Sequence, residues 1–341
     1  MFRLKLLAWY DLHRRDLPWR ASRDPYRVWL SEIMLQQTRV AAVIRHYHEF
    51  LRRFPTIEKL AAAREASVLA AWSGLGYYRR ARMMHAAAKH VTRELDGKYP
   101  RTSRELLKLP GVGRYTAAAI ASIAFDEPVA AVDGNVERVL QRVSGTRLAA
   151  GPVWKAAADL MDTQRPGDFN QAMMELGATV CTPRAPACLT CPVIELCATR
   201  GELQGGKKAV PQRKKEIHYA LVHRGGPGRR EAFLVQRPQD ASLMAGMWEL
   251  PEAADKPGEK PLFTLRHSIT VTDYTVKVWR LAALPRARGK WIAADRLDRI
   301  ALTGLARKIL RHTGILSHDA ASSRSWLQDF SSCQKAKSVA G

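Results

Sequence analysis

The chain has 341 residues, 46% hydrophobic and 26% charged, enough apolar side chains for two separately cored domains, which excludes a mainly disordered polypeptide. Its 55 Lys and Arg against 32 Asp and Glu give a formal charge of +23, a broad positive potential that selects a polyanion as partner, nucleic acid before anionic membrane. No apolar run approaches the roughly 20 residues that cross a bilayer, and the start of the chain lacks the cleavage site of an export signal, so a cytoplasmic, nucleoid-associated protein without membrane contact is expected.

From Met1, which opens an amphipathic first helix, to about residue 200 the apolar positions recur at intervals of three and four. They do so in Val28-Trp29 to Val43-Ile44, Val68 to Trp72, Ala117 to Ile123 and Trp154 to Met161, which predicts an almost wholly helical domain broken by Gly and Pro. Glu32 stands three or four positions from Val28, Trp29 and Leu35, in the apolar stripe rather than on the wet face. Burial there raises a carboxyl pKa and keeps its proton; a carboxylate that snorkels or pairs with Arg is the plainer role. After a short predicted helix, Ser103 to Lys108, comes Leu109-Pro110-Gly111-Val112-Gly113-Arg114-Tyr115. Gly111 and Gly113 open an apolar helix, and such a turn either merely connects helices or exposes N–H groups that hold a phosphate without reading sequence. Asp133 precedes Gly134-Asn135-Val136 at a helix start, where capping is its simplest function.

Cys181, Cys188, Cys191 and Cys197 follow in one loop behind a predicted helix Asn170 to Thr179, spaced C-x6-C-x2-C-x5-C, while Cys333 lies apart. This crowding argues against a disulfide framework and for a reducing compartment. A cubane 4Fe-4S cluster, a four-thiolate zinc site and unliganded thiols all remain open on spacing, although zinc sites usually present two close cysteine pairs. Residues 201–216, with Gly205-Gly206, Pro211 and several Lys and Arg, read as a linker. Residues 217–314 shift to period two, with one late helix from Leu302 to Leu310, and predict a small α+β domain. Residues 315–341 are Ser-rich and aperiodic and are expected to be a disordered tail.

The order of hairpin, apolar helix, Asp133 and cysteine loop resembles the MutY-type adenine DNA glycosylases of the helix-hairpin-helix iron-sulfur superfamily. Further residues that carry the resemblance are Leu17-Pro18-Trp19-Arg20, Trp29 to Thr38, Gly74-Leu75-Gly76-Tyr77-Tyr78-Arg79-Arg80-Ala81-Arg82 and Phe169 to Gly177. It implies a mainly α helix-hairpin-helix glycosylase domain with an iron-sulfur loop, followed by a Nudix-like α+β domain. It also implies base excision of adenine opposite 8-oxoguanine or guanine in double-stranded DNA, by a monomer that carries a 4Fe-4S cluster on Cys181, Cys188, Cys191 and Cys197. By the same resemblance Glu32 protonates the leaving base, and Asp133 stabilises the cationic sugar or bonds to it transiently, with Tyr115 and Asn135 positioning Asp133 and the water. Gln37 and Tyr78 wedge into the duplex; Trp19, Arg20 and Gln171 surround the extruded adenine; Gly111, Gly113 and the Arg79, Arg80, Arg82 run meet the backbone. The second domain lacks the glutamate-rich helix of Nudix hydrolases, and Ser268-Ile269-Thr270-Val271 replaces the family's Phe-Ser-His sensor, which makes Ser268 and Thr270 the candidate lesion contacts. A lyase of the endonuclease III type fits the hairpin and cluster but needs a Lys where Tyr115 stands. A thymine-mismatch glycosylase tolerates Tyr there, yet Glu32 and the second domain argue against it; a non-catalytic DNA-binding protein stabilised by a cluster is the rival from a different class.

Overall fold

The computed structural model describes residues 1–203, 212–226, 229–253, 260–269, 271–282 and 287–316. The chain divides into two units, Met1–Ala209 and Val210–Gly341.

The first unit is helical, as the periodicity predicts. Its α-helices are α1 (Phe2–His13), α2 (Pro25–Leu35), α3 (Val40–Arg53), α4 (Ile57–Ala61), α5 (Glu65–Ala71), α6 (Arg79–Glu94), α7 (Ser103–Leu106), α8 (Arg114–Phe125), α9 (Gly134–Ser144), α10 (Ala150–Leu160) and α11 (Pro166–Thr179). Local chemistry sets several starts: Asp24 caps α2 ahead of Pro25, and Thr102 and Glu105 form a reciprocal capping box on α7. The centre is α8, on which Ala117, Ala118, Ala119, Ile120, Ala121 and Ser122 are all buried. Small side chains let α2, α7 and α11 pack against it at once. At Gly167 of α11 a Cβ would stand 2.7 Å from the Ser122 carbonyl oxygen, so only glycine fits. One apolar cluster joins α1 to α9, α10 and α11 through Leu6, Tyr10, Leu140, Val153, Phe169 and Leu176.

The second unit is α+β, again as predicted. Strands β1 (Arg213–Leu221) and β5 (Phe263–Ile269) flank β6 (Thr272–Arg280), parallel and antiparallel to it respectively; β2 (His223–Arg224), β4 (Trp248–Glu249) and β7 (Gly289–Ala293) all pair with β3 (Glu231–Gln236). The late helix, α12 (Gly304–His312), is capped by Thr303 and packs Leu305, Ile309 and Leu310 against Leu221, Leu234, Val276 and Val278. Two expected boundaries move. Arg213 to Glu216, read as the end of a linker, form the exposed start of β1; a charged edge strand resists pairing with other chains and therefore has a linker's composition. Ile315 and Leu316, read as the start of the tail, are buried in this core, whereas residues 317–341 lie outside the described residues. Among the described residues no helix is long and apolar enough to cross a membrane.

Candidate active site

Glu32 sits near the end of α2, on the face that α2 turns toward α8, and is buried. The hydroxyl of Tyr115, in the first turn of α8, donates to its Oε2, and Tyr115 also contacts the Met174 sulfur of α11 at 3.1 Å. Burial pushes the Glu32 carboxyl up to about 7; the Tyr115 hydrogen bond opposes this, the charge of Asp133 adds to it and Arg20 subtracts. A carboxyl in this state can give a proton near neutral pH.

Asp133 presents the opposite environment. It caps α9: Oδ1 accepts from the backbone N–H of Asn135 at 2.9 Å and of Val136 at 2.8 Å, and Oδ2 accepts from Asn135 Nδ2 at 2.8 Å. Three N–H groups and the positive end of a helix favour negative charge at this half-buried position. The loop before Asp133 is fixed by Asn170 of α11, whose Oδ1 accepts from Ala131 N at 3.0 Å and whose Nδ2 donates to Val129 O at 2.9 Å and Ser122 Oγ at 2.8 Å. Asn135 is held in turn by Arg138, which donates to its Oδ1 at 2.9 Å and to the Gly177 carbonyl at 2.7 Å. A Cβ at Gly177 would lie 2.6 Å from that of Asn135, so glycine lets α11 pass close beneath the start of α9. One carboxyl is thus suited to donating a proton and a neighbouring one to facing a cation, which is the division of labour that glycosidic cleavage needs.

The structure rearranges several surrounding expectations. Arg20 is half-buried and donates to Glu175 at 2.8 Å and to the Arg15 carbonyl at 2.9 Å, close enough to Glu32 to act on its charge. Trp19 is buried edge-on to Tyr47, so its ring supports the site rather than facing solvent. Gln171 is half-buried on α11, one turn before the Met174 that touches Tyr115. Gly111 has φ 75° and faces Met83 so closely that a Cβ would overlap it at 2.3 Å, whereas Gly113, the N-cap of α8, has open space around it. The hairpin therefore needs Gly111 for its shape, and Gly113 leaves backbone accessible.

Gln37 is exposed with φ 57°. Tyr78 is corrected: it is buried, its hydroxyl accepting from Gly74 N at 3.5 Å, while Tyr77 has φ 47° and is 47% exposed. A side chain that enters a duplex must stand free of the core, and of these two tyrosines Tyr77 is the one that does. Of the arginine run, Arg79 is exposed, Arg82 donates to Glu65 at 2.9 Å, and Arg80 turns inward onto main-chain carbonyls rather than outward to a phosphate. Sequence reasoning missed Tyr77, the inward turn of Arg80 and the Asn170 clamp.

The four cysteines line one cavity with Val139, Arg142 and Val193. Arg142 is buried and donates to Cys181 Sγ at 3.3 Å, and Arg200 N donates to Cys197 Sγ at 3.4 Å. Burial, followed by the neighbouring sulfurs, pushes the Cys188 thiol up, and burial does the same at Cys191. Four sulfurs around one cavity, two of them with a backbone N–H or guanidinium donor, are a donor set that fits an iron-sulfur cluster. Among the described residues no three His, Cys, Asp or Glu side chains form a ready site for a single metal ion. In the second unit, Ser268 is exposed and donates to Asp273 across the β5–β6 pair at 2.5 Å. Thr270 lies outside the described residues.

Comparison with known proteins supplies the context for this geometry. Residues 30–152 match the HhH-GPD superfamily of base excision DNA repair proteins. The chain is 35% identical over 316 residues to the adenine DNA glycosylase of Schizosaccharomyces pombe, covering 73% of this chain and 68% of that one. It is 42% identical over 318 residues to the Mus musculus adenine DNA glycosylase and 41% over 320 residues to that of Homo sapiens, each covering 76% of this chain. It spans only 62% and 58% of the length of those two relatives. Among solved structures, a thermostable thymine-DNA glycosylase superposes with a TM-score of 0.55 at 32% identity, and endonuclease III in a non-covalent DNA complex with 0.51 at 26%; each match covers 58% of this chain and 94% of the other.

Proposed function

This chain belongs to the adenine DNA glycosylase family of the HhH-GPD base excision repair superfamily, and we propose that it hydrolyses the N-glycosidic bond of adenine mispaired with 8-oxoguanine or guanine in double-stranded DNA. The observation that carries this reading is the pairing of Glu32, buried under Tyr115 with its carboxyl raised to about 7, with Asp133 at the start of α9. The adenine leaves the stack and enters the site. Glu32 gives its proton to a ring nitrogen of the base, the glycosidic electron pair departs with the base, and Asp133 faces the cationic sugar until water adds. Tyr115 and Asn135 orient the two carboxyls. Tyr115 carries no amine, which argues against a lyase reaction through a Schiff base.

Gln37 and Tyr77 fill the space left by the base, and the hairpin around Gly111 and Gly113 holds a phosphate. Cys181, Cys188, Cys191 and Cys197 hold a 4Fe-4S cluster that ties the loop after α11 together. The enzyme acts as a monomer: residues 1–200 carry the chemistry, and a Nudix-like unit beginning at Arg213 reads the opposite strand through Ser268 and Thr270.

The direct test measures alkali-labile strand breaks in duplexes with adenine opposite 8-oxoguanine, guanine and thymine; absence of breaks at all three refutes the reading. Truncation near Val210 is expected to leave cleavage opposite guanine while reducing the preference for 8-oxoguanine by about tenfold or more, because contacts worth roughly 1–3 kcal/mol each are lost only with the oxidised partner. An unchanged ratio of single-turnover rates assigns the second unit another task. Tyr115→Phe removes the hydrogen bond that lowers the Glu32 pKa. The alkaline limb of its pH–rate profile is expected about one pH unit above that of the wild type, and a coincident limb argues against Glu32 as the titrating acid.

A further inference from the structure

Two exposed loop tips each hold a non-glycine residue in the left-handed region: Gln37 at φ 57° after α2, and Tyr77 at φ 47° before α6. A single side chain joins them. From the first turn of α6, Arg80 Nη1 donates to the carbonyls of Ile33 at 2.6 Å, Met34 at 3.2 Å and Gln36 at 2.5 Å. Its Nη2 donates to Leu75 O at 3.3 Å, Gly76 O at 3.2 Å and Thr38 Oγ1 at 3.4 Å. The guanidinium carbon also lies 5.5 Å from the ring centroids of both Trp72 and Tyr77. One planar fork therefore grips the residues on either side of Gln37, those just before Tyr77, and the carbonyls immediately after Glu32. The last carbonyls of α2 have no partner within their helix and attract a cation. An ammonium has three donors on one atom and cannot span both sets, so this geometry calls for Arg rather than Lys.

We propose that Arg80 is the positioning residue of the DNA-inserting tip: it fixes Gln37 and Tyr77 relative to each other and to Glu32, so that they enter the duplex as one wedge. The proposal rests on the reading that this chain extrudes adenine. Loose tips still touch DNA but no longer displace a base efficiently, since misplacement of about 1 Å costs a positioned group as much as 100-fold in rate.

The test separates extrusion from chemistry, affinity and folding. In Glu32→Gln protein, which binds without cleaving, a duplex carrying 2-aminopurine opposite guanine brightens as the base unstacks. Adding Arg80→Lys is expected to slow that rise about tenfold or more, with duplex affinity by anisotropy within about threefold and a helical circular dichroism spectrum. Arg80→Met, measured in the same way, is expected to be slowed at least as much; if it does not fold, Arg80→Lys decides alone. Lysine protein that melts at a lower temperature yet brightens at the parent rate and amplitude overturns the proposal and makes Arg80 a structural cap of α2. No brightening with Glu32→Gln alone, together with no strand breaks by the wild type, removes the adenine reading and the proposal with it; strand breaks by the wild type with unchanged brightening by Arg80→Lys remove the proposal alone.

Discussion

Asp133→Asn is expected to yield a folded protein that binds a mismatch and releases adenine far more slowly. The substitution keeps an oxygen to accept from the N–H groups of Asn135 and Val136, so the cap on α9, worth about 0.5–2 kcal/mol, survives. What goes is the charge facing the sugar. The new amide nitrogen meets Asn135 Nδ2, another donor, and Asn135 cannot turn to offer its oxygen because Arg138 already holds it at 2.9 Å. Loss of a preorganised charge of this kind costs about 10²–10³ in rate. Single-turnover kinetics read the effect directly, with thermal melting to establish that α9 is intact. A rate within a factor of a few of wild type removes Asp133 from the mechanism.

Glu32→Gln is expected to lower the same rate by about 10²–10⁴, since the amide fills the pocket but has no proton to give. The wild-type rate should be level below pH 7 and fall about tenfold per pH unit well above it, because Glu32 titrates near 7. Stability carries the same signature. The folded carboxyl holds its proton more tightly than an ordinary carboxyl of pKa 4.5, so the cost of its buried charge is absent at low pH, grows from about 4.5 to about 7 and is complete above. Gln never ionises. The variant should therefore be more stable than wild type at pH 8, by up to about 3 kcal/mol, and show no such gain at pH 4. Urea unfolding at the two pH values checks this; an equal difference at both pH values shows that the carboxyl is not raised.

These two carboxyls were legible because their signals are local: Glu32 interrupts an apolar stripe, and Asp133 heads a helix. The grouping of the four cysteines was legible from spacing alone, which did not choose among the groups they could hold. What escaped the sequence depends on contacts between distant elements. Tyr77 and Tyr78 are adjacent and chemically identical, and only the left-handed backbone at Tyr77 turns one outward while the other packs inward. Arg79, Arg80 and Arg82 read as a single basic run, yet Arg80 finds acceptors at Ile33, Met34 and Gln36, far upstream. The clamp that sets Asp133 comes from Asn170 on α11, a polar side chain on the same buried face as Phe169, Ala172 and Met173, whose hydrogen-bond partners the apolar pattern does not reveal. In the second unit the strand alternation was visible from Tyr219 onward, but the charged start of β1 has the composition of a linker, and only pairing with β6 distinguishes the two.

The alanine-rich α8 limits how the first unit breathes. With its middle turns buried and other helices packed against it, it cannot fray into solvent on its own, so amide hydrogen exchange along Ala117 to Ile123 requires opening of much of the first unit. Tyr115 is anchored at the start of this helix, whereas Gln37 and Tyr77 stand on exposed tips whose neighbouring residues are held by Arg80. The hydroxyl on Glu32 is thus steadied by a helix expected to exchange slowly, while the exposed tips are tied to the end of α2 through Arg80 instead.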